Sequence, residues 1–155
     1  MNQHKIIIVQ YDPKYAEQTV KMWRNSKERA IGQKESHSLE SHIYFLNDIL
    51  PVQFQVDLAI IEEQVVGMIA YNKIEINQLY VHVDYQGIGI GQILLNKVKA
   101  QSSGKLTLYT FEVNKNAQRF YEKNGFKIIG RGCENEENLP HLQYEWNREY
   151  TELRK

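Results

Sequence analysis

Residues 86–91 read Gln86-Gly87-Ile88-Gly89-Ile90-Gly91, directly after an apolar, β-branched run and directly before a stretch with helical periodicity. Glycines at alternate positions remove the side chains that would keep backbone N–H groups away from an anion, and a helix start just beyond adds partial positive charge. The segment therefore predicts a strand, an anion-ready turn and a helix in that order. Two well-known phosphate loops fail on spacing. A P-loop needs Gly-Lys and then Ser or Thr, where this chain has Gly91-Gln92-Ile93. A dinucleotide fingerprint needs Gly or Ala at the position of Gln92, and it normally sits on the first strand of its domain with an acidic residue about 20 positions later.

Hydrophobic spacing supplies the other elements. A β-branched run predicts a first strand over 5–10, and Asp12-Pro13 offers a cap with proline at the first helical position, predicting a helix to about Ser26. Leu39, Ile43, Leu46 and Leu50 recur at helical spacing up to Pro51, so a second helix is expected over 38–50. Strands over 56–61 and 65–71 flank Glu62-Glu63-Gln64 as an antiparallel hairpin. A strand over 74–83, a helix over 92–100 with Ile90, Ile93, Leu94 and Val98 on one side, and a strand over 106–110 follow. Strands joined through a helix are normally parallel, so a mixed sheet is expected. A short helix over 117–123, capped by Asn114 or Asn116 and stopped by Gly125, precedes closing strands over 126–130 and 142–146.

The chain of 155 residues holds one domain's worth of core, and nothing reads as a linker, so residues 1–155 are expected to form one folding unit. Nineteen basic and nineteen acidic residues leave a formal net charge of zero, which disfavours a general nucleic-acid binder. The apolar runs fall short of the roughly 20 residues that span a bilayer, and no leader opens the chain, so no membrane association is expected. Cys133 is the single cysteine, which precludes an intrachain disulfide or a thiolate metal cluster and fits a reducing cytoplasm.

The spacing of Gln86, Gly89 and Gly91 resembles the signature of the GNAT superfamily of acyl-CoA-dependent N-acyltransferases: Gln or Arg, two residues, Gly, one residue, then Gly or Ala. A second segment, Asn114-Lys115-Asn116-Ala117-Gln118-Arg119-Phe120-Tyr121-Glu122-Lys123-Asn124-Gly125-Phe126, is similar to the one that follows the next strand in these enzymes. Two motifs in order carry far more weight than a lone glycine loop, for which a ligand-free tight turn would be the better reading. The resemblance implies an α/β fold of GNAT type: a mixed, splayed central sheet flanked by helices.

It also implies a site. The strand ending Leu79-Tyr80-Val81 would leave its neighbour, and the pantetheine arm would add to its unpaired groups, with the N–H of Leu79 or Tyr80 polarising the thioester carbonyl. Gln86, Gly87, Ile88, Gly89, Ile90, Gly91 and Gln92 would receive the pyrophosphate. Tyr121 occupies the family's general-acid position, with Ala117 and Phe120 on the same helix face, and Asn114 would orient the cofactor arm or serve as a helix cap. Glu75 matches the position where some members place a general base; a solvated strand-end charge explains it equally well. Acetyl-CoA is the implied co-substrate, no metal is implied, and the partner is a small-molecule or protein amine.

The acceptor side, by the same resemblance, draws on Trp23, His37, His42, Tyr44, Phe45 and the acidic stretch 134–137, while Cys133 reads as structural. Dimers are common in the superfamily, and Trp146 and Tyr150 could serve a homodimer interface as easily as a core. The rival expectation is a non-catalytic acyl-CoA-binding sensor or interaction module, which turnover would separate from the enzyme.

Overall fold

A computed structural model describes residues 5–149. β1 (Ile7–Gln10), β2 (Gln55–Ile61), β3 (Gln64–Tyr71) and β4 (Ile76–Val81) form one antiparallel sheet in sequence order. β5 (Lys105–Phe111), β6 (Lys127–Gly132) and β7 (His141–Asn147) form a second, ordered β5-β7-β6. An isolated parallel bridge between Glu75 and Thr107 joins the two sheets. The expected mixed, splayed sheet is present, with its parallel relation reduced to that bridge.

The first helix runs longer than expected: after a 3-10 turn at Pro13–Tyr15, α1 spans Ala16–Ile31 and ends at Gly32 in the left-handed conformation, φ 69°. Ser26 does not stop it, because its side chain is buried and its hydroxyl is used elsewhere. The second helical segment is α2 (Leu39–Tyr44), capped by Ser38, which widens into a π-turn at Phe45–Ile49 and ends in a 3-10 turn at Leu50–Val52 that contains Pro51. The hairpin turn is tighter than expected. Glu62 and Glu63 alone form it, both with positive φ (48° and 68°), as a two-residue turn between twisted strands requires.

Period-two alternation splits the core into two layers. On β2, Val56, Leu58 and Ile60 face a cluster with Val20 and Trp23 of α1 and Leu46, whereas Ala59 and Ile61 face the cluster built by α3 (Ile90–Gln101) and α4 (Lys115–Lys123). α3 buries Ile90, Leu94, Leu95 and Val98; Ile93, expected on that face, is 41% exposed, because Leu95 takes the inward position. Asp57, on the α3 side, is buried but bonded by Lys97 at 2.9 Å and by the Tyr71 hydroxyl at 2.7 Å. Trp146 lies in the core, and Tyr150 lies outside the described residues. Among the described residues no helix is long and apolar enough to cross a membrane.

Gly67 of β3 sets the position of α3. A Cβ there would stand 2.9 Å from Ile90 Cγ2 and 3.2 Å from Leu94 Cδ1, so the helix that starts at the glycine loop rests directly on this backbone. Gly67→Val overpacks that contact and is expected to cost about 1–3 kcal/mol in denaturant unfolding. An unchanged midpoint would show that α3 is not seated there.

Candidate functional site

The gap between β4 and β5 follows from the ladder. His82 donates its N–H to the Val66 carbonyl at 2.8 Å, so by alternation Tyr80 and His82 direct their backbone groups to β3, and Leu79 and Val81 direct theirs into the gap. Of the two N–H groups expected to face the thioester, the geometry leaves that of Leu79. The Val81 carbonyl is held from two directions, by Ser26 Oγ and by Gln86 Nε2, each at 3.0 Å. Gln86 thus ties the glycine loop to the end of β4.

The loop itself places Gly87 (φ 81°) and Gly89 (φ 96°) in a conformation that side chains disfavour. Gly89 caps α3 with no side-chain bond, and the helix's first backbone bond is Ile93 N–H to the Gly89 carbonyl at 3.0 Å. The N–H groups of residues 90–92 precede that ladder and stand ready for an acceptor from outside.

A cavity of about 880 Å³ opens on this loop. It is lined by Leu79, Tyr80, Val81, Gln86, Gly87, Gly89, Ile90, Gly91, Gln92, Asn114, Ala117, Phe120 and Tyr121, thirteen of the residues singled out in the sequence. Ile88 is not among them, because its side chain turns outward and is 59% exposed. Asn114 also caps α4, accepting the Ala117 N–H at 3.2 Å, and it lines the cavity as well. The sequence reading missed Arg29, Lys115 and Lys123, which bring three basic groups to the cavity, while among the described residues no acidic side chain lines it. In a chain of zero net charge that local surplus suits a polyanion. Lys115 and Lys123 lie inside the second motif, where their charges were a readable signal; Arg29 comes from a distant helix.

Tyr121 is buried against Phe120 and Phe126, with ring centroids at 5.3 and 5.4 Å. Burial, and then the neighbouring Tyr80 phenol, hold its hydroxyl protonated far above the ordinary phenol range. Tyr80 stacks on Trp23 at 6.1 Å, and burial pushes its own phenol up to about 12 against the opposing Lys27 charge. Glu75 sits at the bridge between the sheets, its N–H bonded to Asn72 Oδ1 at 2.9 Å, and lines neither this cavity nor the second one described below. His82 is a local cap, its Nδ1 accepting the Asp84 N–H at 3.1 Å.

The acceptor-side residues divide. Trp23 and His42 are core residues, packed edge-on at 4.2 Å, while Tyr44 is 59% exposed. The acidic stretch is largely neutralised. Lys27 holds Glu137 at 2.7 Å and Glu35 at 3.3 Å, and His37 holds Glu136 at 3.0 Å, so the loop before β7 is clasped to α1 and to the segment after it. Burial works against the Lys27 charge, but the Glu137 bond and the surrounding charges hold it above its ordinary value. A second cavity, about 750 Å³, lies under this loop and takes in Asn77, Tyr109, Thr110, Phe111, Arg131, Cys133, Glu134 and His141. Cys133, expected to be structural, is exposed there. Asn77 is the extra residue of a bulge, since Tyr71 pairs with Ile76 and Ala70 with Gln78; a bulge is invisible to a two-residue alternation pattern.

Comparison with known proteins agrees with this geometry. Residues 53–128 match the family model described as acetyltransferase (GNAT) domain. The probable N-acetyltransferase Rv2775 of Mycobacterium tuberculosis is 37% identical over 78 residues, 47% of this chain and 45% of that protein. The peptidyl-lysine N-acetyltransferase YjaB of Escherichia coli is 32% identical over 69 residues, 44% of this chain and 46% of that protein. The chain thus spans about half the length of the curated relatives it matches. In fold, it superposes on the solution structure of apo YjaB from Escherichia coli with a TM-score of 0.72 at 23% identity, covering 92% of this chain and 97% of that one. It superposes on the PaiA N-acetyltransferase of Thermoplasma acidophilum, solved in complex with coenzyme A, with a TM-score of 0.71 at 22% identity over 92% and 99%.

Two expectations test the site. Gly89→Ala forces a side chain into positive φ, so it should lower folding stability by about 1–2 kcal/mol and shrink the melting-temperature rise produced by coenzyme A; an undiminished rise would remove the loop from the binding site. The second concerns His42, which burial holds neutral, lowering its pKa from 6.5 to about 4 against the opposing Glu35 charge. The unfolded chain takes up that proton first, so stability is full above pH 6.5 and drains as pH falls toward 4. Denaturation midpoints should decline across that window and His42→Phe should flatten the decline; an identical slope would contradict the assignment.

Proposed function

Since this chain belongs to the GNAT superfamily, we propose that it moves an acetyl group from acetyl-CoA to a primary amine by direct transfer within a ternary complex. The observation that carries this reading is the cavity in which the glycine loop, the free edge of β4 and the buried Tyr121 hydroxyl meet. A lone glycine turn would need none of the other two.

The chain's groups suit the coenzyme. Backbone N–H groups at the start of α3, with Arg29, Lys115 and Lys123, would hold its phosphates, and Leu79 would pair with its amide-bearing arm. Bound there, acetyl-CoA supplies the activated acetyl group. Leu79 N–H, turned into the gap, would be the donor for charge that develops on the carbonyl oxygen, a fixed dipole that needs no reorganisation during the reaction. Tyr121 keeps its hydrogen available for the departing sulfur. A free thiol has a pKa near 8.5, well below that of the buried phenol, so in water the transfer would run uphill. The same apolar surroundings also disfavour a thiolate and narrow that difference. Tyr121 would therefore act first as a hydrogen-bond donor and release its proton late, as the C–S bond breaks, and the proton that the acetylated amine loses through water restores the phenol.

The amine must arrive uncharged. Among the described residues no acidic side chain lines the larger cavity, so an ordered water leading outward suits the base role better than Glu75. The relatives named for peptidyl-lysine acetylation favour a lysine side chain as the acceptor.

Tyr121→Phe removes the donor and keeps the ring. Turnover should fall by about 100-fold or more, the usual worth of a positioned acid, while coenzyme A affinity by calorimetry stays within about twofold. Full turnover in that variant would dismiss Tyr121 from the chemistry.

A further inference from the structure

Gln92 stands where a dinucleotide loop would need Gly or Ala, and its side chain has a use of its own. From the first turn of α3 its Nε2 donates to Asn124 Oδ1 at 2.7 Å and to Asn96 Oδ1 at 2.8 Å, which spends both hydrogens of that nitrogen. Asn124 lies just past the end of α4, and its four polar groups are all engaged. Its Nδ2 donates to the Phe120 carbonyl at 2.9 Å, its N–H to the Tyr121 carbonyl at 3.0 Å, and its own carbonyl accepts from Lys99 Nζ at 2.6 Å. The Phe120 carbonyl can only accept, so it fixes which way the Asn124 amide turns and leaves Oδ1 for Gln92.

The bond between Gln92 and Asn124 is a short path between two parts of the cavity that are distant in the chain. At one end is the Gln92 backbone N–H, among those at the start of α3 that would receive the coenzyme's phosphates. At the other is Tyr121, whose carbonyl holds the Asn124 N–H. Along the chain the same two groups are separated by the rest of α3, all of β5 and most of α4. The Phe120 ring also lies 3.5 Å from where a Cβ on Gly91 would stand, so a ring rests on a bare backbone beside the link. Apolar packing of that kind has no preferred direction and permits sliding, whereas a hydrogen bond fixes distance and angle. Lys99 secures the same turn from two helical turns further along α3, away from the loop.

We propose that Asn124 is a positioning residue for acetyl transfer: through Gln92 it sets the separation between the phosphate-binding loop and the Tyr121 hydroxyl. This inference rests on the acetyl-transfer reading and deepens it by naming what keeps the acid within reach of the sulfur. One covalent arm joins the diphosphate of coenzyme A to its sulfur, so the loop and the phenol must stand at a matching interval. An error of about 1 Å in such an interval can cost ~100-fold in rate. Asn124 itself lines neither cavity, so it works through Tyr121 and not on the substrate.

Asn124→Ala removes the link and leaves the Lys99 bond, which is made to the backbone. Gln92→Met breaks the same bond from the other end, should the first variant fail to fold. In crystals of each variant with coenzyme A, the Tyr121 hydroxyl should stand about 0.5 Å or more further from the sulfur than in the native complex, beyond the tolerance of a working site. For Asn124→Ala, kcat should fall about tenfold or more while calorimetric affinity for coenzyme A stays within about threefold. Added to Tyr121→Phe, the same substitution should cost no more than about twofold beyond Tyr121→Phe alone, because no phenol is left to position. An unchanged separation between hydroxyl and sulfur in both variants, or the full loss of turnover repeated in the Tyr121→Phe background, overturns the proposal. If Tyr121→Phe alone keeps full turnover, the acid assignment falls and the separation seen in the crystals decides the positioning role by itself. A longer separation with undiminished turnover would uphold the positioning and strike the acid assignment alone.

Discussion

β4 and β5 touch at one backbone bridge and then part. Everything that distinguishes this molecule from a closed sheet follows from that separation. Sheet edges inside a protein are normally paired or covered, because an unbonded N–H or C=O away from water is expensive. Here two edges face each other across a gap, and their free groups belong to Leu79 and Val81 on one side and to Tyr109 and Phe111 on the other. Some of the gap-facing groups are taken up by other elements. Ser26 and Gln86 grip the end of β4, while α4 takes the Phe111 carbonyl through Asn114 and Gln118.

The glycine loop works within this arrangement. Its position depends on α3, which rests on Gly67, and on Gln86, which ties it to the strand it follows. Donors at the helix start, a surplus of basic groups and a free strand edge therefore converge on one cavity, although they come from segments far apart in the chain. Tyr121 reaches the same space because the aromatic cluster around Phe126 holds α4 against the sheet.

Much of this was legible in the sequence, for identifiable reasons. Strand, glycine loop and helix were written in local spacing, as was the helix bearing Tyr121, and these rest on interactions within a few residues. The hairpin at Glu62 and Glu63 could be foreseen in kind, though not in its tightness, because two glutamates give no sign of positive φ. The pairing of the acidic stretch before β7 was not legible: Glu136 and Glu137 are engaged by His37 and Lys27, about a hundred residues away in sequence. Long-range pairing of this kind leaves no mark in local composition. Neither does the bulge at Asn77, nor the contribution of Arg29 to the cavity.

The account stands or falls with where the coenzyme lies. A crystal structure of the protein with coenzyme A bound measures this directly. The account predicts the diphosphate on the backbone N–H groups of residues 87–92, the arm alongside Leu79, and the sulfur within hydrogen-bonding distance of the Tyr121 hydroxyl. A coenzyme bound elsewhere, or a sulfur facing away from that hydroxyl, would contradict it.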